Sequence, residues 1–201
     1  MPGRGVRLAV WWLVFLAGLA PLLWLAWALP TNRLGFEPVV DSLRFLGQTA
    51  IWLLMIGLAI TPLGRLIPSW RLVDYRRMVG LYAFFYASLH VAVWLVVDRQ
   101  LDWRAIVEEI TERLHIGFGA LAFLLLVPLA VTSTKGWMRR LGAGWRELHR
   151  LVYPATGLAV LHYFLSVKLD TRTPLLLMAL LLVLLAARPL TRRWAGKHRR
   201  R

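Results

Sequence analysis

Two histidines lie inside long apolar segments of the sequence, where ionisable side chains are rare. His90 occurs in the segment Phe84–Trp94 and His162 in Leu158–Phe164. An ionisable group within lipid costs about 2 kcal/mol or more, so each histidine is a candidate functional residue. Two neutral imidazoles on separate helices can bind one haem iron from both of its faces. The alternative is that both histidines form hydrogen bonds to neighbouring helices.

His149 is a third candidate, thirteen residues before His162. In an ideal helix these two residues are about 20 Å apart along the axis and are separated by a rotation of about 220° about it. They share a face only if the helix is distorted, for example by a kink at Pro154. The matching position beside His90 holds Arg76 and Arg77. Arginine cannot bind iron, but its guanidinium could pair with a haem propionate. The alternative for His149 is an interfacial residue in the headgroup zone.

The two remaining histidines have simpler explanations. His115 starts the fourth apolar segment beside an acidic loop, where a solvated side chain is more common than a ligand. His198 lies in a strongly basic tail, for which attraction to anionic lipid is sufficient. We therefore expect neither to bind iron.

The elements that position these residues follow from composition. The chain has 201 residues, is 59% hydrophobic and carries a net charge of +15. Long apolar runs separated by basic clusters are typical of a membrane protein, and the scattered basic residues argue against a nucleic-acid binder. The chain has no cysteine, which excludes disulfides and iron–sulfur clusters.

Six segments approach the roughly 20 apolar residues that a membrane-spanning helix requires. They predict an all-α, six-helix transmembrane bundle formed by a single domain over residues 1–201, with spans at about 8–29, 43–60, 78–97, 115–132, 150–167 and 174–190. The first is too long for the apolar part of a signal peptide and lacks a cleavage site, so we expect it to be retained. The segment 98–114 is expected to be a loop or a short surface helix.

The distribution of charge predicts the orientation of the chain. The N-terminus, the second and fourth connecting segments and the tail hold 18 basic and 2 acidic residues, whereas the other side holds 7 basic and 8 acidic residues. Since basic residues remain in the cytoplasm, both termini are expected to be cytoplasmic.

Several classes of function are disfavoured by missing motifs. The sequence has neither a dinucleotide-binding glycine motif nor a Walker motif, so electrons would come from another protein or from a membrane quinol. All ten acidic residues can be placed in loops, which argues against an ion-coupled transporter.

Eight short motifs in order resemble the MsrQ (YedZ) family, the haem-binding membrane subunits of bacterial periplasmic protein-methionine-sulfoxide reductase. The resemblance covers nearly the whole chain and rests on Ala17–Trp24, Leu34–Asp41, Ile60–Leu63, Arg76–Leu81, Leu89–His90, Thr132–Thr134, Trp145–Tyr153 and His162–Lys168. The sequence departs from the family at Leu114–His115, where Pro-Tyr is typical, so His115 inherits no family role.

The resemblance implies a ferric-reductase-like membrane protein of the bacterial inner membrane, with one or two b-type haems held by His90, His149 and His162. It also implies FMN, for which residues 132–135 with nearby arginines are the only candidates, and electrons drawn from the membrane quinone pool. The implied acceptor is a periplasmic molybdopterin subunit that reduces methionine sulfoxide, so this chain would be an electron-transfer subunit without catalytic residues for sulfoxide reduction.

Two other functions stay open at this point. One is a ferric or cupric reductase of the same fold, and the other is a non-redox structural or transport subunit. If the main hypothesis holds, Glu108, Glu109 and Glu112 form an acidic patch on which a periplasmic partner could dock; otherwise they only solvate the loop.

Overall fold

The described part of the chain is entirely helical apart from turns and loops. The computed structural model describes residues 4–67, 72–167 and 170–198, and these contain no strand. The α-helices are α1 (Arg4–Ala28), α2 (Pro38–Leu66), α3 (Arg76–Ala92), α4 (Trp103–Glu112), α5 (Leu114–Val131), α6 (Lys135–Leu141), α7 (Gly144–Leu148), α8 (Val152–Ser166) and α9 (Arg172–His198). The all-α prediction is confirmed for these residues.

Five helical segments are long and apolar enough to cross a membrane. They are Gly5–Ala28, Pro38–Leu66, Leu72–Asp98, Leu114–Val131 and Arg172–Pro189. The predicted fifth span corresponds to α8, which has 15 residues and is shorter than the roughly 20 that a full crossing needs. The six-span count therefore stays a prediction.

Two short helical segments of other types extend α3 at both ends. A 3₁₀ turn over Leu72–Tyr75 precedes it and a π-helical segment over Val93–Asp98 follows it. The segment that follows contains α4, whose first turn is capped by the Asp102 carboxylate, which accepts hydrogen bonds from the N–H groups of Arg104 and Ala105. Residues 98–114 therefore form a capped surface helix rather than only a loop.

The core lies between α2, α3, α5 and α8. One buried cluster joins these four helices through Leu54, Ala83, Leu126 and Ala155. Two further clusters attach α9 to α2 and α8, and α1 to α2 and α3. The four central helices therefore carry the residues of interest, and α1 and α9 flank them.

A tyrosine hydroxyl holds α1 against the core. Tyr86 is fully buried, and its hydroxyl donates to the Gly18 carbonyl at 2.6 Å and accepts from the Leu22 N–H at 3.1 Å. These two backbone groups lie four residues apart, so the hydroxyl stands where a helical hydrogen bond would normally form, next to Pro21. One turn earlier on α3, Tyr82 donates to another carbonyl of α1 at 2.9 Å. The two tyrosines form a clamp on α1.

Arg188 of α9 forms a comparable hydrogen bond to a backbone carbonyl of α2. Pro62 interrupts α2 because it has no N–H to offer the carbonyl of Leu58. Nη2 of Arg188 donates to that carbonyl at 3.2 Å, and its guanidinium lies 4.5 Å from the ring centre of Tyr153. Nη1 of Arg65 in turn donates to the Arg188 carbonyl at 3.0 Å. The cytoplasmic ends of α2, α8 and α9, in the predicted orientation, are thus joined through two arginines.

The predicted orientation itself stays a prediction. Five of the basic residues in the charge count lie outside the described residues, namely Arg71, Lys168, Arg199, Arg200 and Arg201. Their contribution to the charge count comes from the sequence alone.

Candidate functional site

His90 of α3 and His162 of α8 come together between the four central helices. Their ring centres are 6.2 Å apart and their planes make an angle of 79°. Nδ1 of His90 donates to the carbonyl of Leu43 at 2.9 Å, and Nδ1 of His162 donates to the carbonyl of His115 at 2.6 Å. Because a carbonyl only accepts, the hydrogen lies on Nδ1 in both rings. Each neutral ring therefore keeps the lone pair of Nε2 for a ligand bond.

A glycine from a neighbouring helix packs against each of these rings. A Cβ atom added to Gly119 of α5 would lie 2.8 Å from Nδ1 of His162, and one added to Gly47 of α2 would lie 3.2 Å from Nδ1 of His90. Contacts this short are not tolerated by ordinary side chains, so any residue larger than glycine would push against the ring. The two glycines therefore allow the helices to hold the imidazoles in their observed orientations.

His115 lies closer to this pair than the sequence indicated. Its ring centre is 6.1 Å from that of His162, the planes differ by 27°, and its carbonyl accepts the hydrogen bond described above. The expectation of a merely solvated side chain is wrong in this respect, because the residue is half-buried. One signal was present in the sequence: Gly119 follows His115 by four residues, so both share the face of α5 that meets α8.

A hydrogen bond between two other polar side chains joins α2 to α8 beside the His90–His162 pair. Nε2 of Gln48 donates to the hydroxyl of Tyr163 at 2.8 Å, and these residues are sequence neighbours of Gly47 and His162. Together with the Nδ1 hydrogen bonds of the two histidines, this contact links α2, α3, α5 and α8. Neither residue belongs to the site predicted from the sequence.

His149 lies in a separate environment, in the 3₁₀ turn between α7 and α8. Its ring stacks on Trp145 with centres 3.9 Å apart, and its Nδ1 donates to the Trp145 carbonyl at 3.0 Å. Its Nε2 is buried and makes no hydrogen bond to the described residues, although the Leu129 carbonyl is close. Burial lowers the pKa of His149 below its ordinary value, and the charge of Arg76 acts in the same direction. Because Nδ1 carries the hydrogen that it donates, the lone pair of the neutral imidazole lies on Nε2.

The two arginines proposed as propionate partners differ in exposure. Arg76 is half-buried and lines a small cavity of about 50 Å³ together with Gly57, Gly80 and Val152. Arg77 is exposed. Of the two arginines, Arg76 therefore lines a cavity to which Val152, the residue after the turn that carries His149, also contributes.

The hydroxyl groups at the predicted FMN position are already engaged. Thr132 and Ser133 donate to the carbonyls of Pro128 and Leu129 at 2.6 and 2.7 Å. Thr134 accepts the N–H of Trp137 as the N-cap of α6. These contacts are ordinary helix-end interactions, so the geometry adds nothing to the assignment of an FMN site here.

The acidic patch predicted for partner docking is smaller than expected. Glu109 is only 8% exposed, and its two carboxylate oxygens lie 3.0 Å from Nε of Arg99 and 3.3 Å from Nη1 of Arg113. It therefore fixes α4 to the end of α3 and the start of α5. Of the three glutamates, only Glu108 and Glu112 are exposed.

Comparison with known proteins agrees with the resemblance stated above. A model of the family "Ferric reductase like transmembrane component" matches residues 46–160, a segment that contains His90 and His149 and ends two residues before His162. No solved structure matches the chain.

Two curated relatives cover almost the whole chain. A protein of Caulobacter vibrioides named protein-methionine-sulfoxide reductase heme-binding subunit MsrQ is 46% identical over 94% of this chain and 88% of its own length. A protein of the same name from Xanthomonas axonopodis pv. citri is 47% identical over 88% of this chain and 84% of its own length. The matches and the five apolar helices identify a multi-pass membrane protein. The chain belongs to the MsrQ family of ferric-reductase-like transmembrane proteins.

Proposed function

We propose that this protein is the haem-binding membrane subunit of a protein-methionine-sulfoxide reductase system in the bacterial inner membrane. In this role it carries electrons from membrane quinol to a periplasmic molybdopterin-containing subunit that reduces the sulfoxide. The observation that carries the proposal is the pair His90 and His162, with both Nδ1 hydrogens fixed and both Nε2 lone pairs available. The names of the relatives, which describe heme-binding subunits, support it.

The separation of the two rings fits a shared haem iron. An imidazole nitrogen binds a transition metal at about 2 Å, and the ring centre lies about 1 Å beyond that nitrogen, so two imidazoles that held one iron between them would have centres about 6 Å apart. The observed separation is 6.2 Å. Haem bound there supplies a reversible one-electron iron couple. The carbonyls of Leu43 and His115 orient the two rings and make their Nε2 atoms better electron donors toward iron.

His149 is proposed as a ligand of a second haem nearer the cytoplasm. Its buried Nε2 without a hydrogen-bond partner in the described chain supports this role, since such an atom is costly unless a ligand satisfies it. Arg76, which lines the adjacent cavity, is proposed to pair with a propionate, and Arg77 with a more exposed one. No second axial histidine is assigned to this iron.

Histidine variants test the proposal directly. His90→Ala and His162→Ala should each remove one haem per protein, because the iron loses one of its two protein ligands. His149→Ala should remove only the second haem, and His198→Ala in the tail serves as the control. The measurement is pyridine haemochrome absorbance relative to protein mass, with low-temperature spectra of the reduced α-band. Full haem content with a bis-histidine spectrum in the His90→Ala protein would overturn the pairing.

We further propose six spans with both termini in the cytoplasm, and FMN as an additional cofactor. The charge asymmetry of the sequence supports the orientation, and α8 then crosses as a short sixth span. A reporter fused to the C-terminus should be active only if it functions in the cytoplasm. Activity of a periplasm-specific reporter at that end would contradict the orientation.

A ferric or cupric reductase is the second candidate function, favoured by the description of the matched family. The two candidates differ in their electron acceptor. Pre-reduced protein that transfers electrons to ferric citrate but not to the periplasmic reductase subunit would favour this second function.

A further inference from the structure

Three arginines from three different helices gather on the side of the bundle that is predicted to face the cytoplasm. Arg65 is the last residue but one of α2, Arg76 is the first of α3, and Arg188 lies in the second half of α9. Nη1 of Arg65 donates to the Arg188 carbonyl, and Nη2 of Arg188 donates to the carbonyl of Leu58, a residue that lines the same cavity as Arg76. All three side chains are partly buried. Like charges held together at this depth repel one another more strongly than in water, because the surrounding dielectric is low.

No carboxylate compensates these charges within the described structure. The ion pairs formed between described residues involve Arg44, Arg99, Arg113 and Arg150, and none involves Arg65, Arg76 or Arg188. None of the ten acidic residues of the sequence falls among the residues outside the described ranges. No ion pair between described residues therefore involves these three arginines.

The contacts of the cluster leave part of its hydrogen-bonding capacity unused. Nη2 of Arg188 bonds to the carbonyl of Leu58, and Nη1 of Arg65 bonds to the carbonyl of Arg188 and to the hydroxyl of Thr191 at 3.3 Å. These partners are neutral. Nε of Arg188 is buried and has no hydrogen-bond partner among the described residues. The contacts therefore fix the guanidinium groups of Arg65 and Arg188 and leave one donor of Arg188 without a partner among the described residues.

We propose that Arg65, Arg76 and Arg188 bind a phosphate-bearing group between α2, α3 and α9. A phosphate suits the cluster better than a single carboxylate, because it carries more charge and offers several acceptor oxygens to planar guanidinium groups. The group comes either from the headgroup of an anionic phospholipid or from a soluble phosphomonoester. The site does not depend on the proposed haem ligands, and variants of Arg65 and Arg188 separate it from any contact of Arg76 with a propionate.

The test compares lipid and soluble phosphate on the intact protein. Delipidated, detergent-solubilised protein with its haem is titrated with phosphatidylglycerol, with diacylglycerol and with glycerol 3-phosphate, and bound molecules are counted by native mass spectrometry. The variants are Arg65→Gln and Arg188→Gln, and Arg7→Gln is the matched control, since it removes the same charge from the exposed end of α1. Haem content and elution volume show whether each variant is folded.

We expect the wild type to bind a phosphate probe at least ten-fold more tightly than either variant, and the Arg7→Gln protein to behave as the wild type. Binding of phosphatidylglycerol alone identifies a lipid headgroup as the source, whereas binding of glycerol 3-phosphate identifies a soluble one. Equal affinities in wild type and both variants would overturn the proposal, as would an equal loss of diacylglycerol binding, which indicates disturbed packing. If Arg188→Gln does not fold, Arg65→Gln decides the outcome.

Discussion

Replacing Gly119 by alanine places a methyl carbon 2.8 Å from Nδ1 of His162 and 3.0 Å from its Cε1. Ordinary contacts of a Cβ atom begin at 3.4 Å, so the imidazole must retreat from α5 by about 0.6 Å. The ring cannot swing away freely, because the carbonyl of His115 holds its Nδ1 at 2.6 Å. The methyl group therefore displaces the proposed iron ligand or stretches the hydrogen bond that orients it.

We expect Gly119→Ala to have a small effect on the stability of the protein and a large effect on haem binding. Alanine favours a helix over glycine by about 1 kcal/mol, whereas overpacking costs about 1–3 kcal/mol and a weakened hydrogen bond about 0.5–1.5 kcal/mol. We therefore expect a net destabilisation of about 1–3 kcal/mol, which leaves the protein folded. A functional constellation tolerates displacements of only about 0.5 Å, so the haem should lose its low-spin bis-histidine spectrum or be released.

Two other glycines provide matched controls. Gly157 lies in α8, the helix that carries His162, and a Cβ added there meets nothing within 4 Å, so Gly157→Ala should retain haem and be slightly more stable. Gly47→Ala, with its 3.2 Å contact to His90, should be intermediate. The assay is the absorbance spectrum and haem content of purified protein, with thermal unfolding in the same detergent. A Gly119→Ala protein with wild-type spectrum and content would refute the reasoning.

Substitutions at three further contacts test how the helices are held together. Tyr86→Phe removes the hydroxyl inserted in α1 and should lower stability by about 1–2 kcal/mol with haem retained; unchanged thermal unfolding would contradict the clamp. Glu109→Gln should cost about 1–2 kcal/mol, because two arginines lose their carboxylate, whereas Glu108→Gln should change stability by less than about 0.5 kcal/mol; equal effects would show that the ion pairs contribute nothing. Gln48→Leu and Tyr163→Phe should each cost about 0.6 kcal/mol, and the double variant no more than one of them; fully additive losses in a double-mutant cycle would mean that the hydrogen bond does not couple the two residues.

The central histidine pair could be anticipated from the sequence because its geometry depends on simple counting. His90 and His162 lie at similar distances from the ends of two predicted spans that run in the same direction, so equal rise per residue places them at one level. The structure brings their rings within 6.2 Å. Their role as iron ligands stays a proposal, as does the role of His149.

The surroundings of the pair could not be anticipated in the same way. The contact of His115 with His162 depends on the close crossing of α5 and α8. Gly119 permits this close approach, but a glycine at that position does not by itself predict it. The burial of Glu109 depends on Arg99, ten residues earlier, at the end of a π-helical segment that periodicity does not reveal. The sequence shows how many acidic and basic residues a segment contains, but it does not show which of them form ion pairs.

The clamp of Tyr86 on α1 also constrains the order in which the chain is assembled. Gly18 and Leu22 leave the ribosome 68 and 64 residues before Tyr86. At about 5–20 residues per second, α1 therefore waits about 3–14 s before its tyrosine partner has been synthesised. A helix can wait in lipid because its backbone hydrogen bonds are internal, and the mean hydropathy of 2.1 over an 18-residue window within Gly5–Ala28 favours that environment. Because α5 and α8 follow Tyr86 in the chain, α1 can dock on α2 and α3 before the four-helix core is complete.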